Sequence, residues 1–350
     1  MTGRIKMLVL SLTGACNYAC EYCYAASHAP VEMSFTTARQ ALDLAGAGGS
    51  TEFILQLSGG EPLLAFGLLQ KIVAYVEEKK LPARIQLQTN GSLITDEIAV
   101  YLQQHNIAIG VSLDGRPDVN DKLRKFKNGS GATQAILAGL AVLRRHNLAA
   151  GITCVVTDRN VRQLSGVVEM AYYAGNVRRL GFDLLRCQGR GSKLIPPGAA
   201  DVHDGVDAAF RTGRELQKLT GIPLKFSQME RVNVLKTCAG AYCFGHCYAM
   251  NGNAAFVDPL GDIYCCSSLI GNKDFYLGNT STGLDEKKVQ QVAARIKKSM
   301  EFCTCCPDFK LCGGGCFARW FGSGGKTAYS GECALKRVAI AWSVGTEQEK

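Results

Sequence analysis

No run of apolar residues in this chain approaches the ~18 that a membrane-spanning helix needs. The one near the start, residues 7–12, is shorter than the ~7 to 15 of an export signal, and cleavage after it would part Cys16 from its neighbouring cysteines. Proline is scarce, with nine residues in 350; together with a hydrophobic fraction of 47% this excludes a disordered chain and predicts an ordered globular protein. Histidine is scarcer still: His28, His105, His146, His203 and His246. Only His246 adjoins a potential metal ligand, Cys247, and it reads as structural. The formal charge of +9 is modest for this length and spread along the chain, so it reads as a solvated surface and makes nucleic acid an unlikely partner. No long repeat or low-complexity tract is present. A reducing cytoplasm, with no membrane partner, is the expected location.

Against these absences stand sixteen cysteines, five in the first 190 residues and eleven between Cys238 and Cys333. Disulfide frameworks belong to small secreted domains that lack core, and this chain has core to spare, so metal or cluster ligation is the expected use of most thiols. The densest early group is Cys16-Asn17-Tyr18-Ala19-Cys20-Glu21-Tyr22-Cys23, a C-x3-C-x2-C spacing directly after the apolar run. Three thiolates on one tight loop can hold three corners of a cubic iron-sulfur cluster and leave the fourth iron open for chemistry.

Up to about residue 190 the pattern alternates β-rich runs with stretches of helical period. Strands are predicted over residues 6–12, 53–56, 84–89, 107–113, 151–157 and 179–185, and helices over 34–46, 63–79, 95–105, 132–146 and 160–174. Six parallel strands with right-handed crossovers make an α/β fold, a partial (β/α)6 barrel, with chemistry at the strand C-terminal ends. The polar and glycine-rich clusters fall there: residues 16–23, 58–62, 89–91 and 112–115 each follow a strand. Residues 191–235 read as a bridge with a helix over 201–220. Residues 236–350 read as a small cysteine- and glycine-rich domain with a helix over 285–300 and a core stapled by metal.

Gly59-Gly60-Glu61, with Ser58 before and Pro62 after, lets backbone approach a ligand closely and offers a carboxylate for a ligand ammonium. A tight strand-to-helix turn would explain it equally well alone. Beside Cys16, Cys20 and Cys23, however, the chain resembles the radical S-adenosylmethionine enzymes. That resemblance implies a [4Fe-4S] cluster on the three cysteines, with S-adenosylmethionine chelated to its free iron and cleaved to a 5'-deoxyadenosyl radical that takes a hydrogen atom from substrate. It implies that Glu61, with Ser58, Gly59 and Gly60, binds the methionine ammonium, and that Tyr22 lies by the adenine. It further implies that Ser112, Asp114 and Arg124 contact ribose and carboxylate; a simple turn at Asp114-Gly115 is the competing reading.

In the C-terminal region Cys303, Cys306, Cys312 and Cys316 form a C-x2-C-x5-C-x3-C run, followed by Cys333 and preceded by Cys247 and by Gly261-x4-Cys266. Spacing alone leaves zinc open, although four-ligand zinc would need two sites to use these thiolates. The series resembles the SPASM domain, which implies two auxiliary [4Fe-4S] clusters and thus three in all. One would use Cys247, Cys266, Cys316 and an upstream cysteine, Cys243 or Cys238, with Cys243 preferred for the compact loop it makes; without either, that cluster keeps an open iron. The other would use Cys303, Cys306, Cys312 and Cys333. Cys265 points away from Cys266 on a strand and reads as a buried thiol, Cys305 as a bystander, and Cys154 and Cys187 as core thiols.

Residues 111–115 with 120–124 resemble peptide-modifying and sulfatase-maturing members. In the latter an aspartate base follows the cluster cysteine; here Ser267 follows Cys266, which lowers the formylglycine reading. Residues 267–271 and 277–279 resemble peptide maturases that form thioether or carbon-carbon crosslinks. The expected substrate is therefore a ribosomally made precursor peptide or protein, with a reductant such as flavodoxin or ferredoxin. Because the first strand begins so near Met1, leader recognition is expected from a separate leader-binding protein, from the SPASM region, or not at all. Radical modification of RNA or of a tetrapyrrole-like precursor is the rival class.

Overall fold

The computed structural model describes residues 5–26, 28–49, 51–237, 244, 247–325 and 329–348. Met7–Ser11 (β1) is a short apolar strand bonded in parallel on both sides, so neither of its edges is free. From it the βα units follow in order: α1 (Phe35–Gly46), β2 (Phe53–Ser58), α2 (Phe66–Glu78), β3 (Ala83–Thr89), α3 (Asp96–Gln104) and β4 (Ala108–Ser112). Then come α4 (Pro117–Leu123), α5 (Thr133–Arg145), β5 (Ala150–Val156), α6 (Leu164–Ala174) and β6 (Val177–Leu184). Local chemistry sets the helix ends. The Ser34 and Thr95 side chains accept from Thr37 N–H and Ile98 N–H at the starts of α1 and α3, and Gly175 closes α6 in the left-handed region.

All six barrel strands predicted by periodicity are present, each within about two residues, and they pair in parallel in sequence order. Alternation along each strand sends leucine, isoleucine and valine outward against the helices. The other face is polar and half-exposed: Gln88 Nε2 donates to Ser112 Oγ at 3.1 Å, and Thr153 Oγ1 lies 3.4 Å from Gln88 Oε1, across three neighbouring strands. An open polar interior suits a barrel that must admit a ligand rather than fill itself with side chains.

Beyond the barrel lie α7 (Ala199–Thr220), β7 (Lys225–Phe226), α8 (Ser227–Thr237), β8 (Ala254–Val257), β9 (Asp262–Tyr264), β10 (Tyr276–Asn279) and β11 (Gly283–Leu284). The chain ends in α9 (Glu286–Ser299), α10 (Phe309–Cys312), α11 (Phe317–Gly322) and α12 (Ser330–Gln348). The C-terminal region does not stand apart as a separate sheet. β8 joins β1 in parallel, and β9 to β11 continue antiparallel, giving one eleven-stranded sheet in the order β11-β10-β9-β8-β1-β2-β3-β4-β5-β6-β7. Nor does this region depend on metal alone for a core, because Phe275 and Phe317 are buried and pack edge-on at 5.5 Å. Strands β7 to β11 are too short, at two to four residues, for periodicity to reveal. Among the described residues no helix is long and apolar enough to cross a membrane.

Helix α12 returns the chain end to the barrel. Phe210 of α7 is fully buried against Phe226, with ring centroids 4.5 Å apart, and meets Trp342 of α12 edge-on at 5.9 Å. Phe210→Ala removes the shared partner of β7, α7 and α12. We expect it to cost about 3–5 kcal/mol, read as a lower denaturant midpoint, with the C-terminal helix loosened first.

Candidate functional site

Cys16, Cys20 and Cys23 lie on the loop that leaves the C-terminal end of β1. Backbone bonds pin this loop: Ala19 N–H donates to Lys125 O at 2.7 Å, Glu21 N–H to Leu123 O at 3.0 Å, and Arg190 Nε to Cys20 O at 2.8 Å. The three thiols act electrostatically on one another, and burial raises Cys20 to about 11 despite the Arg124 cation beside it. A buried thiol with so high a pKa becomes a thiolate only when a metal supplies positive charge, which is how ligands of an iron-sulfur cluster behave.

The Gly59-Gly60 pair is explained by the same loop. Gly60 N–H donates to Thr13 O at 2.7 Å and Glu61 N–H to Ala15 O at 2.8 Å, so the end of β2 runs directly against the entry to Cys16. A Cβ on Gly60 would come within 2.2 Å of the Ala15 carbonyl oxygen, and Gly59, at φ +142°, would meet Thr13 O at 2.4 Å. Only glycine allows this approach.

Three site expectations concern residues that also bond within the protein. The resemblance implies that Glu61 reaches the methionine ammonium, but its carboxylate has no exposure. It accepts from Thr89 Oγ1 at 2.6 Å, Asn90 N–H at 2.7 Å and Leu63 N–H at 3.1 Å, so three protein donors hold it in place. Burial pushes this carboxyl up to about 7, the three hydrogen bonds pulling the other way. Asp114 and Arg124, implied as ribose and carboxylate contacts, are buried against each other at 2.8 Å. Tyr22, implied beside the adenine, donates its hydroxyl to Asp114 and has the Arg124 guanidinium 5.4 Å from its ring. Desolvation is the reason: each charge finds its partner inside the protein. The three residues clamp the cysteine loop to the end of β4, and the Val155 N–H also donates to Asp114 at 2.8 Å. Ser112 stays half-exposed on the polar barrel face, and Ser58 lines a cavity of about 20 Å³ with Ser11, Tyr24, His28 and Ser267.

The C-terminal cysteines form two groups. The charges that act on Cys247 are those of Cys316 and Cys266, after burial, which pushes Cys247 up to about 12. The Cys266 thiol in turn feels Cys316. Separately, Cys303 feels Cys306, Cys312 feels Cys303, and Cys333 feels Cys312 and Cys303. Each group has buried cations at hand. Arg186 and Arg319 act with Cys316, while Lys336 donates to Cys312 O at 3.1 Å. Cys305 is exposed, and Cys265, Cys154 and Cys187 sit in or against the apolar core, as their spacing predicts. The preferred Cys243, its alternative Cys238, and His246 lie outside the described residues. Among the described residues no three ligating side chains converge on a single-ion position.

Sequence reasoning placed Asn90 in a strand-end cluster without a role of its own, and missed Asp183, Arg186, Arg319 and Glu332. Asn90 lies at the end of β3 with its Nδ2 4.0 Å from Cys16 Sγ. Asp183 pairs with Arg186 at 3.0 Å and with Arg319 of α11, which also bonds Glu332 of α12. These cations hold Asp183 at about 2 in spite of its burial. The available signal was an aspartate two residues after Gly181 on the polar face of the last barrel strand.

The profile of the Radical SAM superfamily matches residues 10–171. The chain is 32% identical over 299 residues to the uncharacterized protein MJ0907 of Methanocaldococcus jannaschii, covering 85% of this chain and 95% of that protein. It is 30% identical to the Fe-coproporphyrin III synthase of Methanosarcina barkeri, over 68% of this chain and 57% of that one. With mycofactocin maturase MftC of Mycolicibacterium smegmatis it shares 28% identity over 91% and 79%. In fold it is similar to native anSMEcpe with bound AdoMet and Cp18Cys peptide, at a TM-score of 0.78 and 21% identity over 99% of this chain and 100% of that one. Streptococcus suis SuiB bound to precursor peptide SuiA gives 0.69 and 17% over 94% and 74%.

The buried Glu61 carboxyl makes a pH test. Its folded pKa is raised from 4.5 to about 7, so the stability it contributes is present below about 4.5 and lost as pH rises through about 7. Relative to Glu61→Gln, the protein should lose up to roughly 3 kcal/mol across that window. Parallel thermal-unfolding curves for the two proteins at each pH would show the carboxylate to be solvated instead.

Proposed function

Because the chain belongs to the radical S-adenosylmethionine superfamily, we propose that it is a peptide maturase of the SPASM type. It abstracts a hydrogen atom from a ribosomally made peptide or protein and leaves a thioether or carbon-carbon crosslink. When bound, the cluster on Cys16, Cys20 and Cys23 supplies reductive cleavage of S-adenosylmethionine to a 5'-deoxyadenosyl radical. The observation that carries the reading is that the charges of the C-terminal thiols act on one another in two sets, Cys247, Cys266 and Cys316 in one and Cys303, Cys306, Cys312 and Cys333 in the other.

The protein's own part is to hold and exclude. Tyr22, Asp114 and Arg124 fix the cysteine loop, the backbone of Gly59 and Gly60 lies against its entry, and the polar barrel face around Gln88, Ser112 and Thr153 receives the nucleoside and the reacting segment. Crosslinking removes two hydrogens from the peptide, one as an atom and one as a proton, and leaves one electron for an acceptor. Similarity to MftC and, in fold, to a SuiB–peptide complex supports a peptide substrate. A formylglycine-type reaction would need a base beside Cys266. Ser267 stands there, and Asp183, paired with Arg186 and held at about 2, is too weak a base.

A second reading, chemistry on an iron porphyrinoid, is favoured by the 30% identity to Fe-coproporphyrin III synthase. Anaerobically reconstituted enzyme, S-adenosylmethionine and reductant should be offered a neighbouring cysteine-rich peptide and, separately, an iron porphyrinoid. Loss of two hydrogens per event from the peptide in the mass spectrum is expected; turnover of the porphyrinoid with an unmodified peptide would replace this reading by the second. Cys20→Ala should abolish S-adenosylmethionine cleavage while leaving the iron bound by the C-terminal cysteines, and cleavage retained in that variant would sink the assignment of the loop.

A further inference from the structure

Arg186 stands just beyond β6, and its guanidinium touches both cysteine-bearing loops. Its Nη2 donates to Asp183 at 3.0 Å, its Nη1 donates to Ser268 Oγ at 2.6 Å, and the group lies 4.8 Å from the ring centre of Tyr24, the residue after Cys23. The Tyr24 hydroxyl meets the Ser267 side chain. Ser268 sits in the turn that follows Cys266, and both its N–H and its hydroxyl act on the Cys266 sulfur. A serine oxygen that accepts from a guanidinium keeps its own hydrogen free to donate. Arg186 therefore aims the Ser268 O–H at Cys266.

One donor is left over. Arg186 Nε is buried and has no partner, and after Asp183 and Tyr24 the charges that bear on this guanidinium are Cys316 and Cys266. A buried N–H lacking an acceptor calls for one, and the sulfur of a cluster held at those two cysteines would supply it.

We propose that Arg186 is a positioning residue for the first auxiliary cluster: its Nε–H, and the Ser268 hydroxyl that it orients, donate to sulfur at Cys266 and Cys316 and raise that cluster's reduction potential. This rests on Cys247, Cys266 and Cys316 being ligands of one cluster. Donors on the sulfurs and a cation beside them stabilise the extra negative charge of the reduced form, which is how a protein tunes such a centre. Stacked on Tyr24, the same side chain makes any shift of the first cysteine loop felt at Cys266.

The test is a redox titration of the reconstituted full chain followed by electron paramagnetic resonance, the first auxiliary signal being the one lost in Cys266→Ala. Arg186→Gln and Ser268→Ala should each keep their iron and lower the midpoint of that signal by a tenfold change in the reduction equilibrium, about 59 mV for one electron. Arg186→Lys, which keeps the charge but loses the Nε–H, should fall between. Ser268→Ala changes too little volume to unfold the protein, so it stands even if Arg186→Gln loses iron. An unchanged midpoint in iron-replete Ser268→Ala and Arg186→Lys overturns the proposal while leaving the two-cluster reading intact. A wild-type protein with no Cys266-dependent signal overturns both.

Discussion

The arrangement depends on β1 being bonded in parallel on both sides. Its register with β2 brings Ser11 beside Ser58, so the loop carrying Cys16 and the turn carrying Gly59 and Gly60 leave the sheet together. Its register with β8 sets Val9 beside Phe256, and the β8–β9 hairpin then delivers Cys266 and Ser267 to the same mouth. A strand of five residues thus sets the spacing between the first cysteine loop and the C-terminal thiols. Little freedom remains, because each ladder bond that shifted would move a side chain to the wrong face. The cavity shared by Ser11, Tyr24, Ser58 and Ser267 is the direct result.

Much of this was legible in the sequence because the barrel repeats one pattern. Buried parallel strands such as β2 and β5 read as β-rich runs, helices such as α1 and α5 keep a 3.6 period, and the polar clusters fall at strand ends for a topological reason. The partition of the C-terminal cysteines followed from the SPASM resemblance, and the couplings within each described group are compatible with it. What escaped was pairing between distant positions. Nothing local announces that Asp183 will meet Arg319, 136 residues away, or that Arg124 will close on Asp114. The internal partners of Glu61, Asp114 and Arg124 were hidden for the same reason: a motif specifies which charges are present, whereas their protein partners are decided by what else is buried with them.

The buried charges follow a rule. Asp183 and Glu332 are outnumbered by Arg186, Arg319 and Lys336, all substantially enclosed. Leaving a net cation inside a protein is costly unless an anion accompanies it. The groups positioned to do so are the thiols of Cys266 and Cys316 on one side and of Cys303 and Cys312 on the other. As thiols they are neutral, and burial raises the pKa of Cys266, Cys303 and Cys312 further from neutrality.

Cation and thiol therefore define a single thermodynamic problem with a single solution. Without metal, the buried guanidinium and ammonium groups lack part of their counter-charge, and the thiols hold protons that ligation would displace. Under the two-cluster reading proposed above, ligation at these cysteines would release those protons and place anionic charge beside Arg186, Arg319 and Lys336, so that cluster binding would add to folding stability. The aromatic contacts of Phe275 with Phe317, and of Phe210 with Trp342, bring the C-terminal region near its final position by apolar burial alone. The ion pairs of Arg319 with Asp183 and Glu332 join β6, α11 and α12 beside these apolar contacts.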